Sequence, residues 1–424
     1  NRTKSMFALV DAVAFYASAE KVFDPAIRFK PVVVLTNNDG CICAICPIAR
    51  KLNIPKFQPY FKIKHYLELH NVVVRSSNYE LYADLSERMM SVINRFCDDH
   101  YVYSIDESFL RFTGFSKLID NWAEYGNTIR LAVWRETGLP VGVGFGPTPT
   151  LAKAANHAAK KLSGYRGVAV INDELSRKEV LTRMDVTDVW GVGSRLGKKL
   201  KLMGINSAWD LANQNPKEMR RIFSVVLERT VSELNGIACL SWDEVKQNKK
   251  QIFSTRSFGE RVSDITTLKA ALVAHAVVVG RKLRKQQSLT KRIVIFAASS
   301  PHEDSYYKKS LLYDFPIATS DTSVIAKAVS DVIHDIFKNN TRFYRCGIGA
   351  IELESELFHQ VDMFSISEDK PKMMHCLDAI NRRYGVGTLS LGSEKLSKTW
   401  SMKRAFLSPH YTTRWSDIPI IKCD

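Results

Sequence analysis

An adjacent pair of acidic residues, Asp106 and Glu107, constrains the fold of this chain more than any other feature of its sequence. The pair stands in the stretch YSIDESF (103–109), which begins with aromatic and β-branched residues typical of a strand. Successive side chains of a strand point to opposite faces, so both carboxylates can converge only at a strand end, a turn or a bulge. Such convergence of like charges requires a cation. An acidic pair alone is usually a solvated loop, so other residues have to decide between the two interpretations.

A third carboxylate, Asp11, interrupts another apolar run, MFALVDAVAFYAS (6–18), which begins as a buried strand would. Further strands are predicted at KPVVVLTNNDG (30–40) and LPVGVGFGP (139–147), and apolar residues at helical spacing occupy YELYADLSERMMSVINRF (79–96). This alternation predicts an α/β unit. Asp11 and the acidic pair then lie at the ends of strands distant in sequence, so only tertiary structure can unite them.

Two other motifs are interpreted as structural. The run GVGFG (142–146) lacks the Gly-Lys-Ser/Thr of a phosphate-binding loop, and its glycines predict a strand that permits close packing. Cys41, Cys43 and Cys46 have CxCxxC spacing without a matching second half, so we predict buried or half-buried thiols and no zinc. Eight cysteines in 424 residues are consistent with a reducing compartment rather than a disulfide scaffold.

The charge balance indicates the class of partner. The chain has 60 Lys and Arg against 44 Asp and Glu, a formal net charge of +16. Such an excess favours an extended polyanion such as nucleic acid, with a basic membrane-surface protein as the alternative. No uninterrupted apolar stretch approaches the roughly 20 residues that span a bilayer, and no signal-peptide pattern opens the chain. We therefore expect a cytoplasmic protein without a membrane partner.

A candidate DNA-backbone motif lies in residues 185–212, which read DVTDVWGVGSRLGKKLKLMGINSAWDLA. A short helical segment, a Gly-Val-Gly turn and a basic helix resemble a helix-hairpin-helix. Gly191 and Gly193 allow a tight turn, and the amides at the start of the next helix point at a phosphate. Lys198 and Lys199 add charge without reading sequence. The alternative is an ordinary solvated helix.

A second domain follows a polar linker (241–250). The order strand, helix, strand, strand, helix, strand over residues 251–353 predicts a split β-α-β unit. Arg256 on its first strand suits backbone contacts along a DNA groove.

The remaining residues, 354–424, have weaker periodicity and predict a partly ordered tail. Its segment 401–417 combines Phe406, Tyr411 and Trp415 with basic residues, a composition typical of a docking surface. The alternative is a strand or helix that folds back onto the preceding domain.

Several segments together resemble the Y-family translesion DNA polymerases, and most of all the catalytic-subunit type of bacterial DNA polymerase V, the UmuC type with its plasmid or mobile-element relatives. They are VDAVAFYASAE, SSNYELYADLSERMMS, YSIDESF, LAKAANHAAKK, DVWGVG, VVLERTVSELNG, TRSFGERV and MKRAFLSPHYTTRWSD. The resemblance implies an α/β and α+β multidomain, right-hand polymerase. Its expected domains are a palm (6–16 and 76–171), small fingers (17–75), a helical thumb with the helix-hairpin-helix (172–240), a linker (241–250), a little finger (251–353) and a C-terminal tail (354–424).

The resemblance also implies the chemistry of the carboxylates. In this family two Mg²⁺ ions, for which Mn²⁺ is a possible substitute, promote nucleotidyl transfer from a dNTP to a primer 3′-hydroxyl opposite damaged template DNA. Asp11, Asp106 and Glu107 match the three catalytic metal ligands. Asp11 and Asp106 would bridge the ions, and Glu107 would mainly hold the ion at the hydroxyl.

Four further positions match substrate-binding residues of the family. Tyr16, which follows Phe15, matches the steric gate, an aromatic ring that excludes ribonucleotides by clashing with the 2′-hydroxyl; its alternative is a core tyrosine. Arg50 and Lys153 match basic positions that contact the triphosphate. Each of these two could instead be a surface cation.

The resemblance further implies protein partners in the SOS response and a nucleoid-associated location. Gln360, Met363 and Phe364 in QVDMF resemble the sliding-clamp-binding pentapeptide. A dimer of a processed UmuD-type protein and RecA recombinase are the other expected partners. The tail is a plausible contact for one of them, so truncation before Leu389 should preserve basal primer extension and lose accessory-subunit binding.

The chain departs from the family pattern at Val13, Ile45, Pro47, Ile48 and Pro149. These departures bear on triphosphate affinity and not on the metal ligands. Two other functions therefore stay open at this point, a DNA- and clamp-binding checkpoint factor without turnover and a nucleotidyl cyclase. Primer extension by the purified protein with Mg²⁺ separates all three.

Overall fold

The structure, a computed structural model, describes residues 5–114, 118–240, 248–358, 367–392 and 401–422. The chain divides into two compact units. The first comprises Asn1–Gln247 with Ala405–Asp424, and the second comprises Asn248–Arg404. No helix within the described ranges is both long and apolar enough to cross a membrane.

The first unit alternates strands and helices before it becomes entirely helical, as the sequence predicts. In chain order its main elements are β1 (Met6–Ala12), α1 (Phe15–Val22), β2 (Val32–Leu35), β3 (Ile42–Ile45), α2 (Pro47–Arg50), α3 (Tyr60–Leu69), β4 (Val73–Ser76), α4 (Tyr79–Asn94), β5 (His100–Val102), β6 (Glu107–Phe112), α5 (Trp122–Thr137), β7 (Val141–Gly146), α6 (Pro149–Lys161), β8 (Val168–Val170), α7 (Glu174–Thr182), α8 (Ser194–Leu202), α9 (Ala208–Ala212), α10 (Pro216–Ile222) and α11 (Val225–Leu234).

The central sheet of this unit has the order β5-β6-β1-β7-β8 in the described part of the chain. Strand β1 is antiparallel to both of its neighbours, and β7 is parallel to β8. Both faces of β1 are covered, because Ala8 and Val10 belong to one buried cluster and Phe7 and Leu9 to another. The sequence of β1 is therefore almost continuously apolar until Asp11, where the strand reaches the edge of the core.

The glycines of β7 let helix α6 lie directly on the sheet. A Cβ atom at Gly144 would stand 2.0 Å from the backbone nitrogen of Asn156, and one at Gly146 would stand 2.7 Å from that of Ala152. No side chain fits at such distances. The prediction that these glycines permit close packing is confirmed, and the packed element is α6.

A small sheet with the order β3-β2-β4 is also present among the described residues of the first unit. Cys46 is buried there, and its sulfur accepts hydrogen bonds from the backbone N–H groups of Val32 (3.2 Å) and Ala49 (3.4 Å). Cys41 and Cys43 are half-buried. The thiols thus have the burial that the sequence predicts.

The helical part of the first unit contains the predicted glycine turn. Gly191 has a φ of +89°, a left-handed conformation that favours glycine, and Gly193 immediately precedes α8. Lys198 and Lys199 lie on α8. The order of a glycine turn and a basic helix therefore agrees with the helix-hairpin-helix interpretation.

The second unit has the predicted order of elements. They are β9 (Ile252–Val262), α12 (Ile265–Lys285), β10 (Ser288–Ser299), β11 (Lys308–Thr319), α13 (Thr322–Ile336) and β12 (Phe343–Ser355), followed by α14 (Pro371–Tyr384). Within the described ranges the strands form an antiparallel sheet with the order β11-β10-β12-β9. Arg256 lies on β9. The split β-α-β prediction is confirmed.

The tail, predicted to be partly ordered, contains a helix, α14, at residues 371–384. Arg284 of α12 donates two hydrogen bonds to Asp378 of α14, at 2.6 and 2.8 Å. Met374 and Leu377 of α14 are buried. A paired charge and an apolar face therefore fix a helix whose sequence periodicity alone is weak.

The segment from Ala405 onward packs against the first unit. Tyr411 stacks on Phe23 with ring centroids 5.3 Å apart, and Phe406 meets Tyr60 edge-on at 5.6 Å. Trp415, in contrast, is 91% exposed. The prediction of a docking surface is therefore wrong for Tyr411, whose half-buried ring has a partner within the chain, whereas Phe406 keeps 37% of its surface exposed and stays a prediction together with Trp415. The alternative prediction, a strand or helix that folds back onto the preceding domain, is also wrong. The segment from Ala405 onward belongs to the first unit and packs on residues of that unit.

Candidate active site

The antiparallel register of β1 and β6 brings the predicted carboxylates together. Asp11 stands directly opposite Glu107 in the ladder, and the backbone N–H of Ala12 donates to the carbonyl oxygen of Asp106 at 3.0 Å. The Ser104 hydroxyl donates to Asp106 Oδ1 at 2.7 Å and lies 3.4 Å from Glu107 Oε2. The acidic pair is thus at the start of a strand, where both carboxylates can turn toward Asp11.

Two lysines of helix α6 meet these carboxylates. Lys160 Nζ lies 2.6 Å from Asp11 Oδ2 and 3.1 Å from the carbonyl oxygen of Ala12. Lys153 Nζ lies 3.2 Å from Glu107 Oε1. Lys160 follows Lys153 by seven positions, about two helical turns, so the two lysines share one face of α6. Our sequence analysis found Lys153 and missed Lys160, although this spacing could have indicated it.

The carboxylates are crowded in a partly buried site. The pKa of Asp11 is raised to about 6, mainly by burial; Lys160 opposes this shift, and the neighbouring Glu107 and Asp106 contribute to it. The positive charge of Lys160 therefore stabilises the ionised form of Asp11.

A set of three carboxylates provides the oxygen ligands that hard divalent ions prefer, so the residue types fit the implied metals. As they stand, no three His, Cys, Asp or Glu side chains within the described ranges are arranged to hold an ion. The ammonium groups of Lys153 and Lys160 instead neutralise two of the carboxylates.

The predicted steric-gate residue lies in a cluster of aromatic rings beside this site. Ala14 adopts a left-handed conformation (φ 45°), and this turn begins α1 with Phe15 and Tyr16, shortly after Asp11. Tyr16 stacks on Tyr82 of α4, with ring centroids 4.5 Å apart and an interplanar angle of 17°. Burial raises the pKa of Tyr16 to about 12, so its phenol stays neutral near pH 7.

A buried carboxylate holds the ring beneath Tyr16. The Tyr82 hydroxyl donates to Glu20 Oε1 at 2.5 Å, and Glu20 is itself buried on α1. Burial raises the pKa of Glu20, although hydrogen bonding to Tyr82 opposes the shift. Tyr82 and Glu20 were missed by our sequence analysis, because nothing local distinguishes them from ordinary helix residues.

Further basic residues lie within electrostatic range of Lys56, Lys160 among them. The pKa of Lys56 is lowered by burial and by the nearby charges of Arg50, Lys161 and Lys160. The structure thus brings the predicted Arg50, at the end of α2, into the same positive field as Lys160. Lys56 was not predicted from sequence.

Three regions of the chain match models of one protein family, and a fourth matches a separate domain. The impB/mucB/samB family matches residues 10–157, its C-terminal domain matches residues 249–363, and the IMS family HHH motif matches residues 176–205. A domain of unknown function matches residues 371–421. The HHH match overlaps the predicted glycine turn and so agrees with the interpretation of residues 185–212.

Full-length relatives are similar to the whole chain. Protein UmuC of Salmonella typhimurium is 40% identical over 423 residues, which is 98% of this chain and 100% of that protein. Protein MucB of Escherichia coli is 37% identical, covering 98% of this chain and 99% of that protein. DNA polymerase IV 1 of Bacillus subtilis is 23% identical, covering 91% and 92%.

Solved structures share the fold. A Y-family DNA polymerase chimera of Dbh and Dpo4 aligns with a TM-score of 0.62 at 20% identity, covering 82% of this chain and 99% of that chain. An insertion ternary complex of Dbh DNA polymerase aligns with a TM-score of 0.56 at 20% identity, with the same coverage. The predicted polymerase fold is thereby confirmed. With the full-length similarity to UmuC, these findings show that the chain belongs to the impB/mucB/samB family and is a Y-family translesion DNA polymerase of the UmuC type.

Proposed function

We propose that the chain joins a dNTP to a primer 3′-hydroxyl at the site formed by Asp11, Asp106 and Glu107, with two Mg²⁺ ions. The observation that carries this proposal is the ladder pairing of Asp11 with Glu107, beside Asp106. Y-family DNA polymerases use divalent metal ions; the choice of Mg²⁺, with Mn²⁺ as a substitute, is our proposal. When bound, such ions activate the attacking hydroxyl and neutralise the leaving pyrophosphate.

The lysines of α6 have a second role in this proposal. Lys160 and Lys153 neutralise carboxylates in the structure. A bound metal would take over the neutralisation of the carboxylates, and a bound triphosphate would bring phosphate oxygens close to the two ammonium groups. Each lysine would then move a short distance from its carboxylate to a phosphate oxygen. Arg50 and Lys56 add positive charge for the same substrate. The family departures at Val13 and Pro149 leave these four cations unchanged.

Replacement of Lys160 by alanine tests this substrate role. We expect the Lys160→Ala variant to lower kcat/KM for dNTP about ten- to a hundredfold, since a hydrogen bond to a charged group is lost. Steady-state primer extension with one dNTP gives the value. The matched control is Lys64→Ala on α3, whose ammonium makes an exposed ion pair with Glu68. Equal kcat/KM for the Lys160 variant and the control would contradict the role.

Tyr16 is proposed as the residue that excludes ribonucleotides. Its ring is held by the stack with Tyr82, so its position beneath an incoming sugar would be rigid. We expect Tyr16→Ala to reduce the preference for dNTP over rNTP by about a hundredfold, because the 2′-hydroxyl then meets open space. Tyr66→Ala, at an exposed tyrosine of α3, is the control. An unchanged preference in the Tyr16 variant would reject the assignment.

The DNA contacts are proposed on charge and geometry. Gly191 and Gly193 would present the amides that begin α8 to a primer-template phosphate, with Lys198 and Lys199 adding charge. Arg256 on β9 would contact the backbone separately. The net charge of +16 supports an extended polyanionic ligand.

The protein partners are proposed from the relatives. The clamp-binding residues Gln360, Met363 and Phe364 lie outside the described residues, and the match of QVDMF to a clamp peptide supports them. A dimer of a processed UmuD-type protein and RecA are proposed because of the full-length similarity to UmuC. The same similarity supports an SOS role in the cytoplasm, in association with the nucleoid.

A further inference from the structure

Residues 405–411 make specific contacts with the first unit through backbone and side-chain groups. The N–H of Ala405 donates to Asp39 Oδ2 at 2.8 Å, and the N–H of Phe406 donates to Ser76 Oγ at 2.9 Å. In return, the N–H of Ser76 donates to the carbonyl oxygen of Phe406 at 3.0 Å. These bonds join segments more than 300 positions apart in the chain. They fix residues 405–411, which we call the C-terminal strap, at the end of β4.

One buried amide connects the strap to helix α4. Asn78 has no solvent exposure, and its Oδ1 accepts from the N–H of Leu81, so it caps the start of α4. Its Nδ2 donates to Ser408 Oγ at 3.0 Å and lies 3.2 Å from the carbonyl oxygen of Pro409. The same side chain therefore fixes the first turn of α4 and the strap.

The strap also reaches helix α1. Tyr411 stacks on Phe23, directly after the end of α1. The Tyr82 hydroxyl, on the neighbouring helix α4, in turn donates to Glu20 of α1. Both helices that bear the rings around Tyr16 are thus held by the strap.

We propose that the C-terminal strap positions Tyr16 for sugar discrimination, through Asn78 at the start of α4 and Phe23 at the end of α1. This inference rests on the proposed role of Tyr16 as the steric gate. It gives a role to part of the region that matches a domain of unknown function.

The physical reason lies in the stack of Tyr16 on Tyr82. The two rings face each other with nearly parallel planes, so a displacement of Tyr82 carries the ring of Tyr16 with it. The Tyr82 hydroxyl is held by Glu20, and Glu20 is buried with Oε2 lacking a hydrogen-bond partner among the described residues. The backbone N–H of Tyr82 donates to the carbonyl oxygen of Asn78 at 3.0 Å, so Tyr82 belongs to the turn that Asn78 caps. Loss of the Ser408 hydroxyl removes the nearest acceptor of the buried Asn78 amide, which loosens this turn and allows Tyr82 to shift.

The test uses point variants of the full chain. We expect Ser408→Ala and Tyr411→Ala each to lower the ratio of kcat/KM for dNTP to kcat/KM for rNTP by about three- to tenfold. Ser416→Ala is the matched control, because the Ser416 hydroxyl is exposed and bonds to Asp417. The ratio is measured within one preparation, so a smaller folded fraction lowers both values equally and leaves it unchanged. A purely structural role of the strap would therefore not change the ratio.

A double-mutant cycle with Tyr16→Ala separates this inference from the proposed gate. If the strap acts through Tyr16, adding Ser408→Ala to Tyr16→Ala leaves the dNTP-to-rNTP ratio of the single Tyr16 variant unchanged. A wild-type ratio in both Ser408→Ala and Tyr411→Ala, with a lowered ratio in Tyr16→Ala, overturns the inference alone. A wild-type ratio in Tyr16→Ala overturns the gate itself. Additive losses in the double variant also overturn the inference, since the strap would then act elsewhere.

Discussion

Replacement of Glu107 or Asp106 by the corresponding amide should lower the rate of primer extension about a thousandfold or more and leave primer-template binding nearly unchanged. Glutamine and asparagine keep the shape of the side chain and remove its charge. In Glu107→Gln, Lys153 loses its carboxylate partner, 3.2 Å away, and a divalent ion loses a ligand. DNA affinity should persist, because the proposed phosphate contacts lie on α8 and β9. Asp11→Asn is expected to behave in the same way.

The measurement is single-turnover primer extension at saturating dNTP, with primer-template affinity determined separately by fluorescence anisotropy. Asp84→Asn provides the matched control, since Asp84 forms a surface ion pair with Arg88 at 2.9 Å and should contribute about 1 kcal/mol or less. A loss of DNA affinity as large as the loss of rate would count against a role in chemistry. Wild-type rates in both amide variants would exclude the site.

Local patterns in the sequence were sufficient to locate the carboxylates and the strands that bear them. Asp11 interrupts an apolar run and the acidic pair begins another, and an antiparallel ladder then places Asp11 opposite Glu107. The glycine turn before α8 and the split β-α-β order were also local signals. Apart from the pairing of Asp11 with Glu107, each of these features depends on residues that are close together in the chain, which is why periodicity and turn chemistry indicate them.

The contacts that complete the site are not local. Lys160 and Asp11 are 149 positions apart, and Asn78 and Ser408 are 330 positions apart. Nothing in the residues around Ser408 predicts a structure, because the strap is short and gains its order from partners on α1, β4 and α4. The same reason explains why Tyr411 looks like part of a docking surface in the sequence and stacks on Phe23 in the structure.

A single methyl group at Gly144 should be enough to displace helix α6 from the sheet. The added Cβ of Gly144→Ala would stand 2.0 Å from the backbone nitrogen of Asn156 and 2.6 Å from the carbonyl oxygen of Ala152. Both atoms belong to the backbone of α6, so rotation of a side chain cannot relieve the clash. Since α6 bears Lys153 and Lys160, its displacement would also withdraw both ammonium groups from the carboxylates.

We therefore expect Gly144→Ala to destabilise the first unit by about 3 kcal/mol or more and to remove primer extension. Thermal unfolding followed by circular dichroism and primer extension on the same preparation measure both effects. Gly392→Ala is the control, because a Cβ there meets no atom within 4 Å. A Gly144→Ala protein that unfolds with the control and extends primers at the wild-type rate would show that α6 does not lie against β7. Loss of primer extension at unchanged stability would mean that α6 shifts along the sheet without unfolding. The loss of activity would then come from the displaced Lys153 and Lys160.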